Sequence, residues 1–194
     1  MTDARKPILV FDTETTGLSK PFPVSTAIVL VSPELEVVDK WYSLVKLPDG
    51  VTVEDGAYNI HKISTERANA EGITPEELLR VFDEKLAQSE SFAAYNFPYD
   101  NGVMRNVYGF VRGETSDVYN STPNYCLMRL ARDFCRIPGG TGGNYRQLKL
   151  FQAYRRIVGV PLASVYNAHN ALDDSLAAAD IYIAMMRAIQ AASN

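Results

Sequence analysis

An apolar segment that leads into two carboxylates is the feature that most constrains how this chain can fold. Residues 8–11 are all apolar and predict a buried strand, and Asp12 and Glu14 follow them almost directly. Side chains two residues apart on a strand point to the same face of the sheet. Because like charges repel and are costly to bury, something positive must lie between these carboxylates. The segment therefore predicts a cation site at the end of a buried strand.

The composition indicates one ordinary globular domain over residues 1–194. The chain is 46% hydrophobic and 22% charged, and its length allows one sizeable core. A formal net charge of −4 argues against a general nucleic-acid coat protein, although it allows an enzyme with a local basic groove. No apolar segment reaches the roughly 18 residues that a membrane span needs, and the N-terminus does not resemble a signal peptide. Cys126 and Cys135 are typical of free thiols, so we expect a soluble, cytoplasmic protein.

The first half of the sequence predicts a change from paired strands to an alternation of strands and helices. β-Branched and aromatic residues fill 24–32 and 37–47, which predicts two strands that form an antiparallel three-stranded meander with the first strand. A short strand at 91–96 and a helix over about 100–108 follow. This order is typical of an α/β fold in which helices cover a mixed sheet.

The predicted helices differ in how clearly their ends are marked. The helix at 74–88 begins with Thr74 as its N-cap and Pro75 at its first position, and Glu77 is placed to complete a capping box. A flexible loop at 137–144 lacks the pattern of a phosphate-binding P-loop. The sequence after residue 124 predicts three helices, at 125–136, 144–160 and 171–190.

Two further places put acidic residues where a predicted helix begins. Asp100 follows Asn96 at the end of a strand, and Asp173 and Asp174 follow the loop residue His169. Taken singly, each acid could cap its helix, and the histidine could be an ordinary loop residue. Taken with the first two carboxylates, they place four acids at the ends of adjacent elements, where an α/β sheet forms a crevice. Oxygen ligands gathered in this way suit Mg²⁺ or Mn²⁺.

Three motifs, in this order, resemble the DEDDh family of 3′→5′ exonucleases, which includes proofreading subunits of bacterial DNA polymerases. They are "FDTETTGL", "NFPYD" and "HNALDD", and the resemblance spans about residues 7–187. It implies a ribonuclease H-like fold, in agreement with the predicted α/β layout. The motifs supply Asp12 and Glu14, then Asn96 and Asp100, and finally His169 and Asp174.

The third motif has the spacing His-x₄-Asp, which selects Asp174 over Asp173. The two acids lie roughly 100° apart on a helix, so only one should face the metals.

The resemblance implies hydrolysis of phosphodiester bonds at the 3′ end of a nucleic acid, with DNA expected, to give nucleoside 5′-monophosphates. It implies two Mg²⁺ or Mn²⁺ ions, which activate a water and stabilise the departing oxygen together. Asp12 would bridge the ions, Glu14 and Asp174 would complete the first site, and Asp100 would hold the second. His169 would take the proton from the attacking water, because an imidazole titrates near the working pH.

Further residues are expected to contact the substrate. Thr15 and Thr16 would offer hydroxyls and backbone amides to the terminal nucleotide. Leu18 would wedge between the last two bases, and an equally good alternative makes it a core leucine. Asn96 would orient the second-motif aspartate or contact the substrate.

A basic segment at 129–156 carries seven cations against a single acid. A basic face beside an acidic metal site can follow a phosphate backbone, although a solvated helix surface is the commoner meaning of such a segment. We expect Arg132 and Arg136 to bind the strand. His61, the only histidine besides the one in the third motif, is expected to be structural.

Other functions are compatible with parts of the pattern. The nearest alternative is an oligoribonuclease-like enzyme that trims RNA, and the resemblance to proofreading subunits makes a DNA polymerase a candidate partner. A nucleic-acid-binding module that had lost its chemistry would have lost ligands, whereas all four acids and the histidine are present. A structural Ca²⁺ protein is disfavoured, because EF-hand spacing is absent.

Overall fold

The fold is built on a mixed five-stranded sheet. The computed structural model describes residues 5–139 and 144–193. The strands are β1 (Ile8–Thr15), β2 (Pro23–Val31), β3 (Val37–Leu44), β4 (Ser91–Ala94) and β5 (Asn124–Cys126). Their order across the sheet is β3-β2-β1-β4-β5. Strands β1 to β3 form the predicted antiparallel meander, whereas β4 and β5 run parallel to β1.

Helices cover both faces of this sheet. They are α1 (Asp55–His61), α2 (Thr65–Glu71), α3 (Pro75–Ala87), α4 (Phe97–Arg112), α5 (Asp117–Ser121), α6 (Leu127–Cys135), α7 (Leu150–Ile157) and α8 (Ala171–Ala192). A short 3₁₀ turn at Leu162–Ser164 lies between the last two. The predicted fold class, an α/β ribonuclease H-like mixed sheet flanked by helices, is confirmed.

Strand β1 is buried on both faces, and this determines where its acids point. Leu9 and Phe11 belong to a core formed with α3 and α4, while Ile8 and Val10 belong to a second core formed with α6, α7 and α8. Because side chains alternate along a strand, the even-numbered residues share the face that α8 covers. The acids at positions 12 and 14 therefore point toward the start of α8.

Several element boundaries differ from the sequence prediction. Strand β1 extends to Thr15, because pairing with β2 continues to Pro23, so both acids lie within the strand. Helix α4 begins at Phe97, since a proline is compatible with a first helical turn. Residues 125 and 126 lie in β5, where they pair with β4 instead of starting a helix. The short helices α1, α2 and α5 were not predicted.

The predicted cap of α3 is confirmed in part. Thr74 accepts a hydrogen bond from the backbone N–H of Glu77, as expected. The Glu77 carboxylate, however, accepts from Arg80 at 2.6 and 2.8 Å, so the predicted capping box is replaced by an ion pair one turn along the helix.

Two sequence-based expectations concern other parts of the chain. Residues 140–143 of the predicted flexible loop lie outside the described residues. Within the described ranges, no helix combines the length and the apolarity that crossing a membrane would require.

The core around Phe11 provides a test of the fold. Phe82 on α3 is fully buried, and its ring centre lies 5.2 Å from that of Phe11. Phe82→Ala should lower the free energy of unfolding by about 3–5 kcal/mol, because it removes a buried ring and leaves a cavity. Phe134→Ala is the matched control, since Phe134 is 41% exposed. Urea unfolding followed by circular dichroism measures both losses, and equal losses would contradict this packing.

Candidate active site

Three carboxylates meet at the end of β1 that points toward α8. Asp12, Glu14 and Asp174 each offer an oxygen, and these oxygens all lie within 4.8 Å of one another. The first two come from one face of the strand, and the third comes from the first turn of α8. The structure thus brings three of the four predicted acids into one cluster.

Asp174 presents one oxygen that the protein itself does not satisfy. Its Oδ2 accepts a hydrogen bond from the backbone N–H of His169 at 3.0 Å. Its Oδ1 is buried and has no hydrogen-bond partner among the described residues. A buried acceptor without a partner is costly, so it calls for a ligand that is not part of the protein.

Asp100 lies beside this cluster, held by the neighbouring strand residue. It is 3% exposed, and its Oδ1 accepts hydrogen bonds from the hydroxyl of Thr13 at 2.8 Å and from the backbone N–H of Thr13 at 3.2 Å. Burial raises the pKa of Asp100 to about 7, although the bonds from Thr13 oppose the shift. Both of these hydrogen bonds from Thr13 are accepted by the same oxygen, Oδ1.

Burial and mutual repulsion raise the pKa values of the clustered acids. Burial is the largest cause and raises the pKa of Asp12 well above its ordinary value, with the charge of Asp100 next in importance. Burial likewise raises the pKa of Glu14 to about 8, and the charge of Asp174 adds to it. Burial raises the pKa of Asp174 to about 6. These shifts indicate a site that favours protons or cations over free carboxylates.

A divalent metal ion fits this donor set. The site offers only carboxylate oxygens, which are the ligands that Mg²⁺ and Mn²⁺ prefer. The orphaned oxygen of Asp174 and the raised pKa values of its neighbours both mark a place where positive charge would be stabilised. The residues can therefore hold a metal ion.

The loop that carries His169 is fastened to the start of α8. Asn167 donates from its backbone N–H and its side-chain amide to Oδ2 of Asp173, at 3.0 and 3.2 Å. His169 has φ +66°, a left-handed conformation that is uncommon outside glycine, and its side chain is exposed. Asp173, which the motif spacing excluded as a metal ligand, thus binds the loop and lies outside the cluster of three acids.

A cavity of about 370 Å³ adjoins the acids, and its wall includes Glu14, Leu18 and Ile60. Leu18 is 84% exposed at this cavity, which rules out the alternative that it is a core leucine. Glu54 also lines the cavity and packs against Gly17, where any β-carbon would lie 2.1 Å from the Glu54 side chain. The cavity combines apolar walls with polar groups, as expected of a site that binds a small ligand group.

The two threonines of the first motif differ in position. Thr15 lines the cavity, and its hydroxyl lies 2.7 Å from the hydroxyl of Tyr99, which also donates to the carbonyl of Gly17. Thr16 instead uses its backbone N–H and its hydroxyl oxygen in hydrogen bonds with the backbone of Phe22. Of the two, Thr15 is therefore the one placed to meet a ligand.

The remaining predicted substrate residues belong neither to the cluster of three acids nor to the described lining of the cavity. Asn96 is exposed and is the N-cap of α4, without a side-chain capping bond. On α6, Arg132 pairs with Asp133 at 2.7 Å, and Arg136 donates to the backbone carbonyl of Asp133. The structure brings none of these three side chains into the cluster or among the cavity-lining residues.

His61 occupies both of its ring nitrogens in the protein. Its Nδ1 accepts from the backbone N–H of Ile63 at 3.1 Å, so its Nε2 carries the proton and donates to the carbonyl of Thr15 at 3.0 Å. Burial lowers the pKa of His61, which favours this neutral form. Both ring nitrogens are thus used within the protein, although His61 also lines the cavity.

Sequence reasoning missed the residues that complete the cavity. Tyr99, Glu54 and Ile60 line it, and two of them belong to the unpredicted helix α1 or its N-cap. Tyr99 lies inside the second motif and could have been identified from its position there. Glu54 carries no comparable signal in the sequence.

Comparison with known families gives a match over most of the chain. The family model of RNase T, described as an exonuclease, matches residues 9–182. No curated protein sequence matches the chain significantly.

Solved structures of exonuclease I have a similar fold. Escherichia coli exonuclease I in complex with a dT13 oligonucleotide superposes with a TM-score of 0.76 at 17% identity, over 96% of this chain and 43% of that one. Its complex with a dA16 oligonucleotide gives a TM-score of 0.76 at 19% identity, over 94% of this chain and 41% of that one. Exonuclease I from Methylocaldum szegediense superposes with a TM-score of 0.73 at 17% identity, over 94% of this chain and 40% of that one.

The chain spans about two fifths of the length of these exonuclease I structures, and at such identities the likeness concerns the fold. The family match extends through all three motifs, from the strand that carries the first to the helix that carries the third. This chain therefore belongs to the RNase T exonuclease family, among the DEDD 3′→5′ exonucleases of ribonuclease H-like fold that its motifs predicted.

Proposed function

We propose that this protein is a metal-dependent exonuclease that removes nucleoside 5′-monophosphates from the 3′ end of single-stranded DNA. The observation that carries the proposal is the cluster of Asp12, Glu14 and Asp174, whose oxygens lie within 4.8 Å beside an open cavity. Family membership supports an exonuclease, and the oligonucleotide complexes of the similar structures support a DNA strand. We also propose that residues 1–194 form a single exonuclease domain.

The acids are proposed to hold two Mg²⁺ or Mn²⁺ ions. Asp12, Glu14 and Asp174 would hold one ion, and Asp12 and Asp100 would hold the second. When bound, such a pair makes a coordinated water more acidic and stabilises the charge on the departing oxygen. Thr13 contributes by holding Oδ1 of Asp100 through two hydrogen bonds, which fixes the orientation of this carboxylate.

His169 is proposed as the general base. An unprotonated ring nitrogen of His169 accepts a proton from the water as the water oxygen attacks phosphorus. The bond from phosphorus to the 3′ oxygen breaks, and this oxygen takes a proton from solvent water. The products are a shortened strand with a 3′ hydroxyl and a free nucleoside 5′-monophosphate. The exposed position of this side chain, on a loop fixed to α8, allows it to approach a bound phosphate.

The cavity is proposed to hold the terminal nucleoside. Leu18 and Ile60 would contact the bases, while Thr15 and Tyr99 offer hydroxyls to the sugar. Asn96, Thr16, Arg132 and Arg136 remain predicted substrate residues. A polymerase partner and a cytoplasmic location also remain predictions.

A strand-shortening assay tests the proposed function. The substrates are 5′-labelled single-stranded DNA and RNA of one sequence, with Mg²⁺, Mn²⁺ or EDTA. We expect a metal-dependent ladder of products that shortens from the 3′ end, faster on DNA. Asp12→Ala should lower the rate at least about 100-fold, because losing a metal ligand costs more than losing a residue that only orients a ligand. Asp49→Ala, at an exposed position, is the control and should cleave normally.

A faster ladder on RNA would replace the DNA proposal with the RNA-trimming alternative. Binding of both strands without shortening, at any metal tested, would instead favour a module that has lost its chemistry.

The raised pKa of Glu14 should make the free energy of unfolding depend on pH, and metal binding should change that dependence. The pKa of Glu14 is raised from 4.5 to about 8 in the folded protein. The folded state therefore holds more protons than the unfolded state between these values, and the free energy of unfolding falls as the pH rises through this range. In EDTA we expect a lower Tm at about pH 8 than at about pH 5, and a larger stabilisation by Mn²⁺ at the higher pH.

Differential scanning fluorimetry measures both effects, and Glu14→Gln should flatten the pH dependence. The same slope in the wild type and in Glu14→Gln would show that this carboxylate is not the cause.

Asp173 should affect catalysis through the loop that it holds. Asp173→Ala removes the acceptor for both donors of Asn167, so we expect about a 10-fold loss in kcat with metal affinity unchanged. Asp173→Asn keeps an acceptor oxygen and should recover most of the activity. Steady-state kinetics and Mn²⁺ titration check this, and weaker metal binding in Asp173→Ala would mean that Asp173 acts on the ions instead.

A further inference from the structure

We propose that a groove formed by α7 and the segment before it binds the phosphodiester backbone of single-stranded nucleic acid. The groove has a volume of about 570 Å³, and Arg146, Phe151, Arg155 and Arg156 line it. It shares no lining residue with the cavity beside the acids, so it is a separate site. The inference rests on the proposed function, because it concerns how the enzyme holds its strand.

The charge of the groove is uncompensated. Arg146, Arg155 and Arg156 make no ion pair within the described ranges 5–139 and 144–193, and no carboxylate is found among the groove-lining residues described. By contrast, Arg67 and Arg80 pair with carboxylates of their own helices at 2.5–3.2 Å. Guanidinium groups that share a groove repel one another, so an anion bound between them would be stabilised.

An exposed aromatic ring distinguishes a strand from a lone anion. Phe151 is 54% exposed within the same groove, which Gln152 also lines. Arginines that contact phosphates, together with an aromatic ring on which a base can stack, are the combination used to bind single strands without sequence preference. An inorganic phosphate would use the arginines alone.

The groove is fastened to the strand that leads into the active site. The hydroxyl of Tyr95 donates to the backbone carbonyl of Leu148, which lines the groove, at 2.7 Å. Tyr95 follows β4 directly and precedes Asn96, the first residue of the second motif. The predicted contact residue Arg132 pairs with Asp133, whereas Arg155 and Arg156 of α7 make no ion pair within the described residues.

Equilibrium binding tests the groove without requiring cleavage. Asp12→Ala serves as the background, and the probe is a 5′-fluorescein single-stranded DNA of about 20 nucleotides followed by anisotropy over a range of KCl. Adding R155Q/R156Q should weaken binding at least about 10-fold and reduce the slope of log affinity against log salt by about 1.4, for two lost phosphate contacts. R67Q/R80Q changes the net charge equally and should leave both unchanged.

The outcomes separate this inference from the proposed function. If the wild type shortens no strand but R155Q/R156Q loses salt-dependent binding, the exonuclease proposal fails and the groove stands. If the wild type shortens DNA but R155Q/R156Q binds with the same affinity and salt slope, the groove proposal is overturned. Equal losses in R67Q/R80Q would also overturn it, because they would reflect net charge alone. A change in sedimentation without a change in binding would make the groove a contact between copies.

Phe151 provides the test of base stacking. Phe151→Ala should weaken binding about 5-fold or more without changing the salt slope, and Phe151→Tyr should bind like the parent. Unchanged binding in Phe151→Ala would overturn the stacking contact. An unchanged Tm for each variant confirms that the fold is intact.

Discussion

The mutual repulsion of carboxylates at the end of β1 is the constraint on which the rest of the structure depends. Asp12 and Glu14 point to one face of the strand because side chains alternate, and α8 brings Asp174 to the same face. Holding such charges together is costly, and burial of β1 on both faces by two hydrophobic cores offsets that cost. Packing therefore fixes the positions of the acids, and a bound cation would stabilise their ionised forms.

The first turn of α8 contributes one acid to the carboxylate cluster and another that holds the preceding loop. One acid faces the cluster, while its neighbour Asp173 binds the loop that carries His169. The N-terminal part of that loop is also held against α8. The hydroxyl of Tyr166 donates to Asp180 of α8 at 2.9 Å, and the hydroxyl of Tyr154 of α7 donates to the same carboxylate at 3.0 Å. This arrangement keeps an exposed histidine, with a left-handed backbone, on a fixed support beside the acids.

The motifs contain three acids that the fold brings close together, and their spacing follows from the geometry of strands and helices. Alternation on β1 placed two carboxylates on one face, and the helical repeat separated Asp174 from Asp173. The cavity was less predictable, since α1 is short and contributes Ile60 through tertiary packing that leaves no periodic pattern. The sequence also could not predict which arginines form ion pairs, because the pairing of Arg132 with Asp133 depends on side-chain geometry.

The acidic cluster and the basic groove present opposite unmet charges on one fold, and a phosphodiester strand with divalent ions would satisfy both. We propose that the clustered carboxylates hold those ions. Isothermal titration of Mn²⁺ at about pH 7, in buffers of different ionisation enthalpy, tests it most directly, because raised carboxyl pKa values require protons to leave when metal binds. We predict binding with proton release in the wild type and loss of both in Asp174→Asn. Absence of Mn²⁺ binding, or binding that survives unchanged in Asp174→Asn, would contradict it.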